Sequence, residues 1–212
     1  LLDIFILGIF APPQAVGIYY AAQQIASLPQ KLKTSFDPVL GPVITRRLEE
    51  KNLPAIATQV SQVGFWILAA QVGIAFALGI PAEGILGLVG PGGGFVSGTG
   101  ALAFLLLAEV VASLAVVSEA ALVYIARLRN MLISLGMITV QAVASVAILF
   151  VMQREGLSEA WMAAGVAMGL CIALAISSVV KSRLASRLLG APVSVWRWSI
   201  VWACHAPQSG RP

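Results

Sequence analysis

The stretch AWMAAGVAMGLCIALAISSVV, residues 160–180, contains no charged side chain, and the stretch that follows it, KSRLASR at 181–187, carries Lys181, Arg183 and Arg187. About 20 apolar residues in a helix cross the hydrocarbon of a bilayer, at about 1.5 Å per residue. Basic residues gather just beyond the cytoplasmic end of such a run. The two signals together read as a transmembrane helix with its inner end marked.

The same pairing recurs upstream. Runs of similar length cover 131–152, 99–126 and 55–80, the last ending at Pro81. A longer and more polar run covers 16–45, and residues 1–10 read as the end of another span, stopped at Ala11-Pro12-Pro13-Gln14. Val193 to Ala203 reads as the opening of a further, truncated one. Arg46, Arg47 and Lys51 follow the second run, Arg127 and Arg129 the fourth, and Lys181, Arg183 and Arg187 the sixth. The alternate connections, 11–15 and 81–98, hold no basic residue, and 153–159 has only Arg154. This alternation places loops 46–54, 127–130 and 181–192 on the cytoplasmic side.

The composition agrees. Of 212 residues, 59% are hydrophobic and 10% charged, and the mean hydropathy is +0.93. Soluble domains carry about 25% charged residues, so this chain has too few for a water-facing surface. The expected fold is an all-α polytopic bundle over residues 1–190, with about six spans and a truncated seventh. Residues 191–212 form the start of that span and a polar tail. The leucine start and the abrupt change after Ala203 read as truncation.

Several classes are disfavoured. The net charge of +4 sits in loops without a basic, aromatic-interleaved stripe, so no nucleic-acid partner is expected. Cys171 lies in an apolar run, Cys204 stands far from it, and His205 is the sole histidine, so neither a metal site nor a disulfide framework is expected. The glycine-rich segment 79–100 lacks the lysine and Ser/Thr of a phosphate loop and reads as a flexible external loop. No cofactor is expected.

The segment 16–45 carries the chemistry. At about 100° per residue, Ile25, Leu28, Leu32, Phe36, Val39 and Val43 share one face. Gln23, Gln24, Ser27, Gln30, Lys31, Thr34, Asp37 and Gly41 gather on or near the opposite one. Charges at mid-bilayer cost about 2.5–3.5 kcal/mol each on insertion scales, so this polar face needs a cavity or partners. Lys33 and Asp37 are spaced to pair along the helix. Lys31 has no local partner, and Asp3, Glu109 or an anionic substrate are its candidate counterparts. Pro29 and Pro38 free backbone groups that a cavity or neighbouring helices must satisfy. Glu109, in the middle of its span, is either a functional carboxylate or a packed, protonated one. Gly64, Ala69, Gly73 and Ala77 read as a close-packing stripe.

Four pieces of the opening, Asp3-Ile4-Phe5-Ile6-Leu7-Gly8, Val16-Gly17-Ile18-Tyr19-Tyr20-Ala21-Ala22, Leu28-Pro29 and Val39-Leu40-Gly41-Pro42-Val43-Ile44, resemble the polysaccharide transporters of the MOP flippase superfamily. These are the O-antigen and exopolysaccharide flippases. The resemblance covers roughly the first 50 residues and implies the second bundle of a two-bundle transporter in the bacterial inner membrane. It also implies a lipid-linked, pyrophosphate-bearing oligosaccharide as partner, beside membrane lipid and other glycan-assembly membrane proteins. By position it directs Asp3, Gln24, Lys31 and Lys33, with Asp37 near them, toward a central cavity. Alternatives are an ion-coupled antiporter of the same superfamily, with Glu109 as coupling carboxylate, and a membrane-embedded glycan polymerase or ligase. The single charge of loop 81–98, Glu83, speaks against such an enzyme.

Overall fold

A computed structural model describes the backbone of residues 2–34, 46, 53–89 and 94–190, and the side chains of all of these except 32–34, 53–60, 116, 117, 120, 121 and 124. Every regular element among them is helical. In chain order these are α1 (Leu2–Phe10), α2 (Pro13–Thr34), α3 (Leu53–Gly79), α4 (Ala82–Val89), a 3-10 turn (Val96–Gly98), α5 (Thr99–Ile125), α6 (Arg127–Arg154) and α7 (Glu159–Leu189). Helices satisfy their own backbone groups, which is what a segment in hydrocarbon requires.

Four described stretches are long and apolar enough to cross a membrane: Ser61–Gly79, Val96–Ala115, Arg127–Arg154 and Glu159–Leu189. They match four of the expected spans. Neither α1, with nine residues, nor α2, diluted by its glutamines, is among them. The far part of the expected second span, with Pro38, lies outside the described residues, as do 191–212.

Two expected loops are not loops. Helix α7 continues through Lys181, Arg183 and Arg187 to Leu189 and stops at Gly190, whose φ of +62° suits a left-handed cap. Serine, alanine and leucine between the basic residues keep this extension helical, so charge ends the apolar run but not the helix. Likewise a single residue, Ala126, separates α5 from α6, and the segment 127–130 is already the first turn of α6. The glycine-rich segment also holds more structure than a flexible loop. Ala82 and Leu86 bury one face of α4, and Gly98 approaches Ile18 so closely that an added Cβ would lie 2.9 Å from its Cγ2. Pro91 to Gly93 lie outside the described residues.

Helices α5 and α7 pack most extensively against each other, α6 lies along α7, α3 along α5, and α2 crosses both α5 and α7. The face of α7 that makes this possible is built of small residues, including Ala163, Ala164, Gly165, Ala167, Gly169, Ala173 and Ser177. Gly165 and Gly169, four apart, let α6 come close: a Cβ on Gly169 would stand 2.5 Å from Ser145 Oγ. This is the small-residue packing that membrane helices use where lipid removes the hydrophobic drive. The stripe expected on α3 behaves differently. Gly64 is buried, but Ala69, Gly73 and Ala77 face outward and Gly73 has open space around it. The side chains that α3 buries are Ser61, Ile67, Leu68 and Gln71 instead, and small size alone does not choose the contact face.

The connections sort by end. The Gln153 amide donates to the Phe10 carbonyl, Gly98 abuts Ile18, and Gly17 faces Phe95, so the poorly basic connections share one end of the bundle. Arg129, Arg183 and Arg187 border a common hollow at the other. For these two of the three basic segments, the alternation along the chain is a charge separation in space.

Candidate functional site

Asp3 is buried, at 5% exposure. Its Oδ1 accepts a hydrogen bond of 2.5 Å from Gln141 Nε2 on α6. Tyr19 of α2, with no exposed surface, places its hydroxyl beside the same carboxyl without meeting hydrogen-bond geometry. Three helices thus converge on one carboxylate in apolar surroundings. A buried carboxylate is costly without hydrogen bonds, so Gln141 stabilises both the group and the approach of α1 to α6.

Beside this knot lies a cavity of about 560 Å³, bounded by α1, α2, α5, α6 and α7. That volume falls within the roughly 300–1,000 Å³ typical of small-molecule sites. Its polar lining comes from Asp3, Tyr20, Gln23, Gln24, Ser27, Gln30, Glu109 and Gln141, and its apolar lining includes Leu105, Leu170 and Leu174. Gln141 sits halfway along α6, which places the cavity at mid-height of the bundle. The polar stripe of α2 flanks, rather than opposes, a core stripe formed by Ala15, Ile18, Tyr19, Ala22 and Ala26. That arrangement lets one helix seal the core and open to the cavity at once. On the apolar face read from the sequence, Ile25 is buried and Leu28 is 53% exposed. Pro29 stays within α2, and its carbonyl accepts a 2.8 Å hydrogen bond from Gln71 Nε2 of α3. This bond ties α3 to α2 at the proline, whereas the carbonyl that Pro29 leaves without an N–H donor is that of Ile25, one turn earlier.

Of the residues expected at a site, Asp3, Gln24 and Glu109 come together here, drawn from three separate helices. Lys31 is exposed and does not line the cavity. The Asp3 carboxylate takes its hydrogen bond from Gln141 on α6. The Lys33 side chain and Asp37 lie outside the described residues. Gln141 was missed by the sequence reading. Its signal was present, since it is the only carboxamide between Met131 and Met152.

A second buried charge lies outside the cavity. Lys181, read from sequence as a loop residue, is 3% exposed, and its Nζ stands 3.1 Å from Glu119 Oε1 on α5. Ser178, one turn earlier, donates a 3.0 Å hydrogen bond to the Val111 carbonyl. Both contacts fasten α7 to α5. No group of three or more metal-ligating side chains occurs among the described residues. Comparison of the chain with protein-family models, with curated proteins and with solved structures gave no match.

Proposed function

We propose that this chain is part of a transporter of the bacterial inner membrane that moves a lipid-linked saccharide by alternating access, with the cavity on α1, α2, α5, α6 and α7 as its sugar-facing site. The observation that carries the reading is the cavity's chemistry. Carboxamides and carboxylates at mid-height of an apolar bundle form the hydrogen-bonding set that sugar hydroxyls take, and lipid offers them nothing. Intramembrane polar groups of this kind mark substrate and ion pathways by default. Among the described residues the lining includes no cation, so a pyrophosphate would sit nearer Lys31, beyond the cavity. Helices α1 and α2 belong to the membrane in this reading, and loops 46–54, 127–130 and 181–192 face the cytoplasm. The fold and partners are those of a MOP-type bundle working beside other glycan-assembly proteins, and no catalysis is assigned to it.

A second reading draws on one specific feature. Asp3 and Glu109 share the cavity, and a pair of carboxylates suits a coupling cation, as in an antiporter. Complementation of a glycan-export mutant with the full-length protein separates the two. Asp3→Asn keeps an oxygen for Gln141 while removing charge, so a saccharide site is expected to keep at least about half of its export. Gln24→Ala with Gln141→Ala removes two of the four carboxamides in the lining and is expected to cut export about tenfold, the order of one lost polar contact. Full export in the amide variant would sink the saccharide reading. Loss in Asp3→Asn and Glu109→Gln alone, with pH-dependent uptake in vesicles, would favour the antiporter.

A further inference from the structure

The hollow between α6 and α7 at the basic end has a volume of about 460 Å³. Arg129, Arg183 and Arg187 rim it, and its walls are Leu132, Ile133, Val180 and Leu184. We propose that it binds the headgroup phosphate of an anionic membrane phospholipid, with the acyl chains running up the apolar wall. This rests on the chain lying in a membrane and does not depend on what the protein transports.

Charge, height and continuity each point to a lipid. All three guanidiniums are exposed, and among the described residues none is ion-paired. Among the described residues Glu119 is committed to Lys181, and no acidic residue follows Glu159 in the chain. Among the described residues the hollow thus presents positive charge without an acidic partner. Arg183 and Arg187 lie three and seven residues beyond Val180, where the apolar run ends. At 1.5 Å per residue they stand about 5 and 10 Å past the hydrocarbon edge, which is headgroup depth. Arg129 precedes Met131, the start of the apolar run of α6, by two residues and reaches a similar level. The wall above continues into outward apolar side chains, with Leu135 60% and Ile176 48% exposed. A soluble anion would use the arginines alone, whereas a phospholipid uses both parts of the hollow. Basic pockets between membrane helices bind anionic headgroups in this way, and guanidinium forks match phosphate oxygens.

The full-length protein, purified in a neutral detergent, can be titrated with phosphatidylglycerol or phosphatidylcholine and examined by native mass spectrometry. Phosphatidylglycerol is expected to be retained over phosphatidylcholine. Each of Arg129→Gln, Arg183→Gln and Arg187→Gln is expected to weaken retention about fivefold, and the triple variant roughly a hundredfold. Arg154→Gln, at the opposite end of α6, should leave it unchanged. Replacement of all three by lysine keeps the charge and should lose less than about tenfold, which guards against misfolding as the cause. Millimolar inorganic phosphate should not displace the lipid. Equal retention of the two lipids, unchanged binding in the triple glutamine variant, or displacement by phosphate would each overturn the proposal.

Discussion

Gly169→Leu is expected to prevent the bundle from assembling, while Gly136→Ala on the facing helix leaves thermal unfolding in detergent unchanged or shifts it upward. The contrast lies in what a side chain meets at each position. A Cβ at Gly169 would sit 2.5 Å from Ser145 Oγ and 3.0 Å from both the backbone N and Cα of Ser145. The hydroxyl can rotate away, but the Cα can move only if α6 itself moves. Shifting α6 also opens the seam at Gly165, where Met152 and Ile148 already lie within 2.9 Å of an added Cβ. Overpacking a tight site costs about 1–3 kcal/mol, and more where backbone must yield. In lipid the loss weighs heavily, because packing supplies much of helix association. Alanine at 169 should fall between glycine and leucine. Alanine at 165 should cost less, since the thioether end of Met152 is flexible. Gly136 is exposed with nothing within 4 Å of an added Cβ, so alanine there gains only helix propensity. A Gly169→Leu protein that melts with the wild type would remove the α6–α7 seam from the account.

The extent to which the chain could be read in advance follows from what kind of signal each feature carries. Apolar runs are one-dimensional, so α3, α5, α6 and α7 were legible within a few residues. Their ends were less so. Basic residues after 180 marked the end of the hydrocarbon, but a helix needs only propensity and backbone satisfaction, and α7 continues to Leu189. The polar stripe of α2 was legible from its period, and Glu109 from its depth. That these meet Asp3 in one cavity is a matter of which helices are neighbours, which no single run encodes. Gln141 shows the intermediate case. A lone carboxamide in an apolar helix signals a buried partner, but the partner, Asp3, lies 138 residues away. The sequence reading picks out the small residues of α3 and not Gly165 and Gly169, which form the seam. Only the contacts distinguish a face turned inward from one turned outward.

The Lys181–Glu119 pair should prove asymmetric, with Glu119→Gln costing more stability than Lys181→Met. The Lys181 side chain is 4% exposed and that of Glu119 is 41%. Removing the lysine leaves a carboxylate that water can reach, whereas removing the carboxylate leaves an ammonium without its counter-charge in a dry position. Breaking a fully buried pair costs about 3–5 kcal/mol, and the water around Glu119 lowers the expectation to about 1–3 kcal/mol for Glu119→Gln. Lys181→Met keeps most of the side-chain volume and should cost under about 1 kcal/mol, since apolar replacement of buried charge is often neutral. The double variant should then resemble Lys181→Met alone, giving a coupling as large as the Glu119→Gln cost, about 1–3 kcal/mol, in a double-mutant cycle on thermal unfolding. Additive single effects would mean that the two groups do not interact in the membrane. The neighbouring Ser178–Val111 hydrogen bond survives either change, so α5 and α7 keep a second fastening and the cycle reads the ion pair alone. The same asymmetry explains why a lysine can stand beyond an apolar run without being a loop residue. Its side chain is buried, and its charge is held by one carboxylate that faces water for it.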